Sequence, residues 1–264
     1  MPGAGLLRPW SLSSDEVREA AYSGAGAVAR YFDARLVDAH HLPARGGALL
    51  VGNHALLGID AWALFPLVQQ ATGRTPRGLG LRALFGLPAL GSVLEACGCV
   101  PGHRALAVEL LRQGELCVCY PGGMRDSTKP VRDRYRLQWE GRRGFAHAAV
   151  AAGVPIIPVA AIGPDEAFPA WDLPLAGAVR RWTGLRQPVP PVFVPVARRV
   201  PFRFHVGAPL SPPDAGSSQA EVDAWACHVE EALARLIDRG LGARQAAASS
   251  MEAGAGRSAR HHAA

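Results

Sequence analysis

Ala48-Leu49-Leu50-Val51-Gly52-Asn53-His54-Ala55-Leu56-Leu57-Gly58-Ile59-Asp60 is the stretch from which the fold can be read. Its first four residues are a short apolar run, the pattern of a buried strand. The run enters Gly52-Asn53-His54, and an apolar helix is predicted from about Asp60 to Gln70. The same alternation recurs downstream. A punctuated unit spans Leu79–Pro101, and a helix over Ala105–Gln113 is stopped by Gly114. A strand over Leu116–Tyr120 ends at Pro121-Gly122-Gly123. A helix over Gly144–Ala152 is followed by a buried strand over Pro155–Ile162, and Phe202–Val206 reads as another strand. Strands alternating with helices indicate an α/β domain.

Outward from this centre, Ser13-Ser14-Asp15-Glu16 is a capping-box pattern that opens an N-terminal helix over about 14–32. Val17, Ala20, Ala21, Val28 and Tyr31 form its apolar stripe, expected to pack on the protein rather than on a membrane. Ser218 with Glu221 is a second capping box, ahead of a helix running to Arg239. The domain is expected over residues 1–239, with 240–264 an Ala, Gly, Ser and Arg tail expected to be disordered. Residues 169–200 are rich in Pro, Arg and Trp, with Trp171 and Trp182 among them.

The 264 residues are 49% apolar and 19% charged, which fits a chain with a substantial core and excludes a disordered one. The net charge of +6 is carried almost entirely by arginine. Lys129 is the only lysine, a bias that reads as genome composition. The charge forms no basic block, so nucleic acid is not an expected partner. Five cysteines, an odd number, and no signal peptide indicate a reducing compartment. Cys97/Cys99 and Cys117/Cys119 are spaced too closely for a usual zinc site and read as buried thiols. No metal is expected. His40-His41, His261-His262, His103, His147, His205 and His228 have no carboxylate at metal spacing and read as solvated or structural. The most apolar stretch, Phe145–Ile162, is broken by Gly153-Val154-Pro155 into pieces too short to cross a bilayer.

His54 lies directly after the buried strand and Asp60 follows six positions later. On a continuous helix that spacing turns about 600°, leaving the two side chains roughly 120° apart. They meet only if His54 sits in the strand–helix loop and Asp60 in the first helical turn, with Gly58 supplying the permissive backbone. Asp60 then holds one ring nitrogen and leaves the other to take a proton from a hydroxyl. No Gly-x-Ser-x-Gly elbow occurs, so the nucleophile is the substrate's own alcohol. A loop histidine that merely caps a helix is the competing reading of the spacing. A second element, Tyr120-Pro-Gly-Gly-Met-Arg-Asp126, follows a strand. Its glycines let backbone N–H groups approach an anion or developing oxyanion, and Arg125 suits a phosphate or carbonyl oxygen. An ordinary Pro-Gly turn with a solvated Arg-Asp pair is the alternative.

The two elements together resemble the lysophospholipid acyltransferase superfamily, the PlsC-like enzymes. Asn53, His54 and Asp60 match its first block with one extra residue between His and Asp. In that lengthened form Val51–Gly58 is similar to the diacylglycerol acyltransferase-like proteins and plant phytyl ester synthases. Residues 120–126 match the Tyr-Pro-Gly-Gly-x-Arg-acid block of that branch, and similarity continues through Tyr135–Trp139, Arg143–Phe145, Pro155–Val159 and Asp165-Glu166. The resemblance implies a single α/β domain with a mixed, largely parallel central sheet flanked by helices. It also implies an O-acyltransferase in which His54 is general base and Asp60 its orienting partner. Asn53, Gly122, Gly123, Arg125 and Asp126 are the implied oxyanion and substrate-binding set. The donor is acyl-CoA or acyl carrier protein, with no further cofactor. Gly123 replaces the acid that the phospholipid-making enzymes carry there. That favours a neutral acceptor, such as a mono- or diacylglycerol or a long-chain alcohol, over a lysophospholipid. The implied location is cytoplasmic and peripheral to the membrane, with 169–200 as a contact surface or, equally, a packed insertion. The pair is expected at the mouth of an apolar cleft. A non-catalytic acyl-chain carrier, and a thioesterase or esterase using water, are the other functions open to the same residues.

Overall fold

The computed structural model describes residues 15–261 except Pro88, 176–180 and 185–188; for Asp15, Val17 and 251–261 only the backbone is described. The Ser13-Ser14 cap, His262 and part of 169–200 therefore lie outside the described residues.

Nine strands are found among these residues: β1 (Arg35–Val37), β2 (Ala48–Gly52), β3 (Arg77–Gly80), β4 (Val100–Pro101), β5 (Leu116–Cys119), β6 (Ile156–Ile162), β7 (Ala170–Trp171), β8 (Val192–Phe193) and β9 (Arg203–Val206). Seven of them form one sheet in the order β1-β9-β6-β2-β5-β3-β4. Every neighbouring pair is parallel except β6 with β9. The expected mixed, largely parallel sheet is thus the observed one. β2 lies between β5 and β6, with Leu50 beside Val118 on one side and Ile157 on the other.

Alternation along the strands supplies two cores. Leu49, Val51, Cys117, Cys119 and Ile156 face α4 (Arg104–Arg112), α6 (Gly144–Ala152) and α7 (Gln219–His261). Ala48, Leu50, Val118, Ile157 and Val159 face α1 (Asp15–Tyr31) and α2 (Ile59–Thr72). Two short helices, α3 (Leu90–Ala96) and α5 (Met124–Ser127), are also found among the described residues. Burial on both faces explains why β2 and β6 are apolar at every position. Phe145–Ile162 resolves into α6 and β6, and among the described residues no helix is long and apolar enough to cross a membrane. All five cysteines are free, and no three His, Cys, Asp or Glu side chains of the described residues are grouped to hold a metal.

Two expectations need correction. The buried stripe of α1 is Ala25, Ala29 and, just past its end, Phe32; Ala20 and Tyr31 are exposed. The helix approaches α2 through small side chains, which a search for large apolar ones overlooks. Residues 240–261 are also helical, continuing α7 instead of forming a disordered tail, and 262–264 lie outside the described residues. Alanine and arginine there favour helix, and the body of the protein holds the continuation. A Cβ on Gly240 would come within 2.7 Å of Ile162 and 2.9 Å of His205. Leu241 packs on the core, and Arg244 grips Glu166 through two hydrogen bonds of 2.8 and 2.9 Å. The second capping box forms as read: Ser218 N–H donates to Glu221 Oε2 at 2.7 Å and Glu221 N–H to Ser218 Oγ at 3.3 Å.

Candidate active site

The carboxyl end of β2 delivers the chain into the site. A Cβ on Gly52 would meet the Tyr120 ring at 3.2 Å and the Val159 carbonyl at 3.0 Å, so the strand must end on glycine for β5 and β6 to close beside it. Asn53 then continues the sheet with its side chain. Its Nδ2 donates to the Ala161 carbonyl at 3.0 Å, and its Oδ1 accepts the Ala161 N–H at 2.8 Å. Buried and bonded to β6 through both ends of its amide, Asn53 clamps the end of β2 to the sheet.

After Asn53 the backbone coils back on itself. Leu57 and Gly58 both adopt left-handed conformations, φ 59° and 66°, and the second opens α2. That reversal brings Asp60, in the first turn of α2, under His54. Asp60 Oδ2 lies 3.0 Å from His54 Nδ1, while Oδ1 accepts the Ala55 N–H at 3.0 Å. Asp60 is wholly buried; the His54 side chain is 19% exposed. The expected pair therefore forms. Asp60 is anchored by the peptide next to the histidine it faces. Tyr120 completes the setting, its ring stacked on the imidazole at 4.1 Å and 19°. Its buried hydroxyl sits near the Asp60 carboxylate without a hydrogen bond of normal geometry. Burial, then the Asp60 charge, push this phenol well above its ordinary pKa, so it stays protonated.

Electrostatically, burial alone would depress the His54 pKa. The charge and hydrogen bond of Asp60, helped by Asp126 and opposed by Lys129, outweigh it and leave the pKa raised above 6.5. With ionised Asp60 at Nδ1, the ring proton belongs there and the lone pair lies on Nε2, which has no hydrogen-bond partner among the described residues.

The glycine loop lies alongside, with differing fates for its members. Gly123 N–H donates to the Tyr120 carbonyl at 2.9 Å, so it closes a turn and is not available to an oxyanion. Gly122 is required to be small, because a Cβ would stand 2.5 Å from Asp126 Oδ2. Asp126 is buried under it, with Oδ1 accepting the Gln138 N–H at 2.7 Å and Oδ2 lacking a hydrogen-bond partner. Burial pushes its carboxyl up to about 6. Arg125 is ion-paired with Glu140.

Lys129 is the residue that local reading missed. Its side chain is 4% exposed, and Nζ donates to the His54 carbonyl at 2.9 Å and the Asp126 carbonyl at 3.0 Å. It also pairs with Asp165 at 3.1 Å. Its rarity was the available signal: a chain that uses arginine everywhere else keeps one lysine.

The hollow against Leu56, Asp126 and Lys129 is lined by neither His54 nor Asp60 and is mixed in polarity, so it is not the apolar cleft expected at the pair. It is lined by Leu56, Val131 and Phe168 on its apolar side and by Asp126, Lys129 and Asp165 on its polar side. Leu57 and Met124 are exposed.

Residues 34–162 match the family model described as Acyltransferase, so this segment is a PlsC-like acyltransferase domain. An uncharacterized protein of Mycobacterium tuberculosis is 32% identical over 204 residues, 72% of this chain and 56% of its own. The Homo sapiens protein named "DGAT1/2-independent enzyme synthesizing storage lipids" is 30% identical over 201 residues, 75% of this chain and 59% of its own. The chain thus spans little more than half the length of the curated relatives it matches. The crystal structure of the 1-acyl-sn-glycerophosphate acyltransferase PlsC from Thermotoga maritima superposes with a TM-score of 0.55. It covers 87% of this chain and 85% of its own at 18% identity, a likeness of fold.

Proposed function

We propose that this chain is a lipid O-acyltransferase that moves a fatty acyl group from acyl-CoA or acyl carrier protein to the hydroxyl of a neutral glycerolipid or long-chain alcohol. The observation that carries the reading is the 3.0 Å contact between His54 Nδ1 and buried Asp60, with Nε2 left as a proton acceptor. A loop histidine that only caps a helix has no need of a buried carboxylate on its ring. In the proposed step Nε2 takes the acceptor's hydroxyl proton as the oxygen attacks the thioester carbonyl. The tetrahedral intermediate then collapses, its C–S bond breaks, and the thiolate recovers the proton from the imidazolium. Gly122 N–H is the loop donor assigned to the oxyanion, since Gly123 N–H is committed elsewhere.

The neutral acceptor is supported by the Arg125–Glu140 ion pair, which balances the cation that would otherwise face a phosphate. Membrane contact is supported by exposed apolar side chains in and near the antiparallel β7–β8 pair. Trp171, Leu175, Trp182 and Val196 are exposed in this part of the chain, and Asp172, next to β7, accepts the Val131 N–H at 2.6 Å, fastening the end of β7 beside the hollow. Such a surface suits an enzyme working peripherally at a cytoplasmic membrane face, with aromatic rings at the lipid boundary.

Purified protein incubated with labelled acyl-CoA or acyl carrier protein and a panel of neutral and phosphorylated acceptors in mixed micelles tests this. New ester is expected, with His54→Ala slower by about 10²–10⁴ and folded as before. Free fatty acid as the product would make it a hydrolase, and bound but unchanged thioester a carrier. Ester formation surviving in His54→Ala would remove the mechanism.

A further inference from the structure

We propose that Lys129 is a positioning residue for His54, holding the backbone of the base from behind while Asp60 holds its ring. The inference rests on the general-base reading of His54.

Three acceptors converge on one nitrogen. The His54 carbonyl comes from the loop after β2, the Asp126 carbonyl from α5, and the Asp165 carboxylate from the turn after β6. An ammonium carries its donors and its charge on one atom, so Nζ serves both carbonyls by hydrogen bonds and Asp165 as an ion pair. A guanidinium is planar, with its donors spread over three nitrogens. It cannot donate to both carbonyls and hold its full charge against the carboxylate when all three oxygens lie 2.9–3.1 Å from one point. This is a physical reason for a lysine here in a chain whose other basic side chains are arginines.

Asp165 is itself immobilised. Its second oxygen accepts the Tyr135 N–H at 2.8 Å, and Tyr135 holds a left-handed conformation with φ 65°. The Tyr135 hydroxyl donates to Glu166 at 2.8 Å, and Glu166 receives Arg244 from α7. Lys129 is therefore the point where a rigid network from β6 and α7 reaches the loop that bears the base.

The loop needs such a hold. Leu57, a non-glycine residue in the left-handed region, follows His54 by three positions and tends to relax. The His54–Ala55 peptide is gripped at both ends, its carbonyl by Lys129 and its N–H by Asp60. Without the first grip the peptide can rotate, and His54 loses its alignment with Asp60. The ammonium has a second effect through charge. Asp60 from α2 and Asp126 from α5 draw His54 toward the imidazolium, Lys129 opposes them, and the Tyr120 face is held neutral. Lys129 thus helps keep the imidazole unprotonated and ready to act.

Lys129→Met alone would strand buried Asp165, so the decisive variant is Lys129→Met/Asp165→Asn, which removes both charges. If it melts within a few degrees of wild type, three readouts follow. The turnover number should fall by about 10–10² with a smaller change in KM. The acid limb of the rate profile should move to higher pH. The His54 resonances in ¹⁵N-histidine spectra should titrate at higher pH, a readout that requires no turnover. In Lys129→Ala, added methylammonium should recover part of the rate, whereas added guanidinium should not. A folded double variant with wild-type turnover and an unmoved His54 titration would overturn the proposal. So would lost turnover with the titration unmoved and no amine rescue, which marks a merely structural lysine. If the double variant is unfolded, absence of amine rescue in Lys129→Ala together with an unmoved His54 titration there overturns it. Failure of wild type itself to form ester would strike the proposed function, while the titration shift would still test Lys129.

Discussion

Replacing Asp60 by Asn changes one polar group, and the local hydrogen bonds dictate the consequence. Asp60 Oδ1 accepts the Ala55 N–H and Oδ2 faces His54 Nδ1, each at 3.0 Å. In Asp60→Asn the Ala55 N–H still demands an acceptor, so the amide oxygen takes that place and the NH₂ turns toward His54. Nδ1 must then accept, the ring proton moves to Nε2, and the base is lost. The opposite rotamer sets NH₂ against the Ala55 N–H and orphans a buried donor, at about 1–3 kcal/mol. By that cost it holds roughly a fifth down to under a hundredth of the molecules. Loss of the carboxylate that stabilises the imidazolium adds to this. The expected fall in turnover is about 10²–10⁴, at the upper end comparable to the effect of the same change in Ser-His-Asp enzymes. Stability should respond to pH as well. The His54 pKa, lowered by burial but raised more by Asp60, stands above its ordinary 6.5 in the folded protein. A raised folded pKa gives stability that is complete below the unfolded value and lost as pH rises through the folded one. Asp60→Asn should therefore lower the melting temperature more at pH 5 than at pH 9. Initial rates of ester formation, ¹⁵N-histidine shifts that report the tautomer, and melting at both pH values are the assays. Turnover within tenfold of wild type, with Nε2 still unprotonated, would refute the reasoning.

Two further outcomes are expected. Asp126 is lifted by burial, against pulls from Lys129 and the Gln138 N–H, from 3.8 to about 6. Its contribution to stability is thus complete below 3.8 and lost as pH rises through 6, a difference of about 3 kcal/mol. Asp126→Asn should be more stable than wild type above pH 7 by up to that amount and gain nothing at pH 4, as read from urea unfolding; a pH-independent gain contradicts it. Asn53→Ala should destabilise by about 3 kcal/mol, because it orphans both the N–H and the carbonyl of buried Ala161. Its turnover per folded molecule should stay within a few fold of wild type, and a fall of 10² in a stably folded variant would place Asn53 in the oxyanion set.

Much of the site was legible because its parts are local. The apolar run at 48–51, the glycine after it, and the spacing of His54 to Asp60 lie within thirteen residues. Each has a physical signature: burial on both faces, close approach, and a turn that must reverse. Gly58 marked that reversal. Leu57 did not, since nothing in leucine advertises a left-handed backbone. The glycine loop was recognisable as a close approach of backbone, yet the use of each N–H was not. Gly123 turns back to Tyr120, and Asp126 fills the space over Gly122. The stripe of α1 was misread for a related reason, because alanine is informative only once its neighbour is known.

The sequence by itself determined an α/β chain that places a histidine at the end of a buried strand, with an aspartate one reversed turn away. Those are matters of hydrophobic period, glycine placement and residue spacing. Tertiary structure decided which polar groups are occupied and which remain open. Asn53 is bonded to a strand 108 residues away, Lys129 to a carbonyl 75 residues away, and Arg244 to a carboxylate 78 residues away. Hydrogen-bond capacity belongs to a residue, but its partner is set by whichever distant segment the packed core brings within 3 Å.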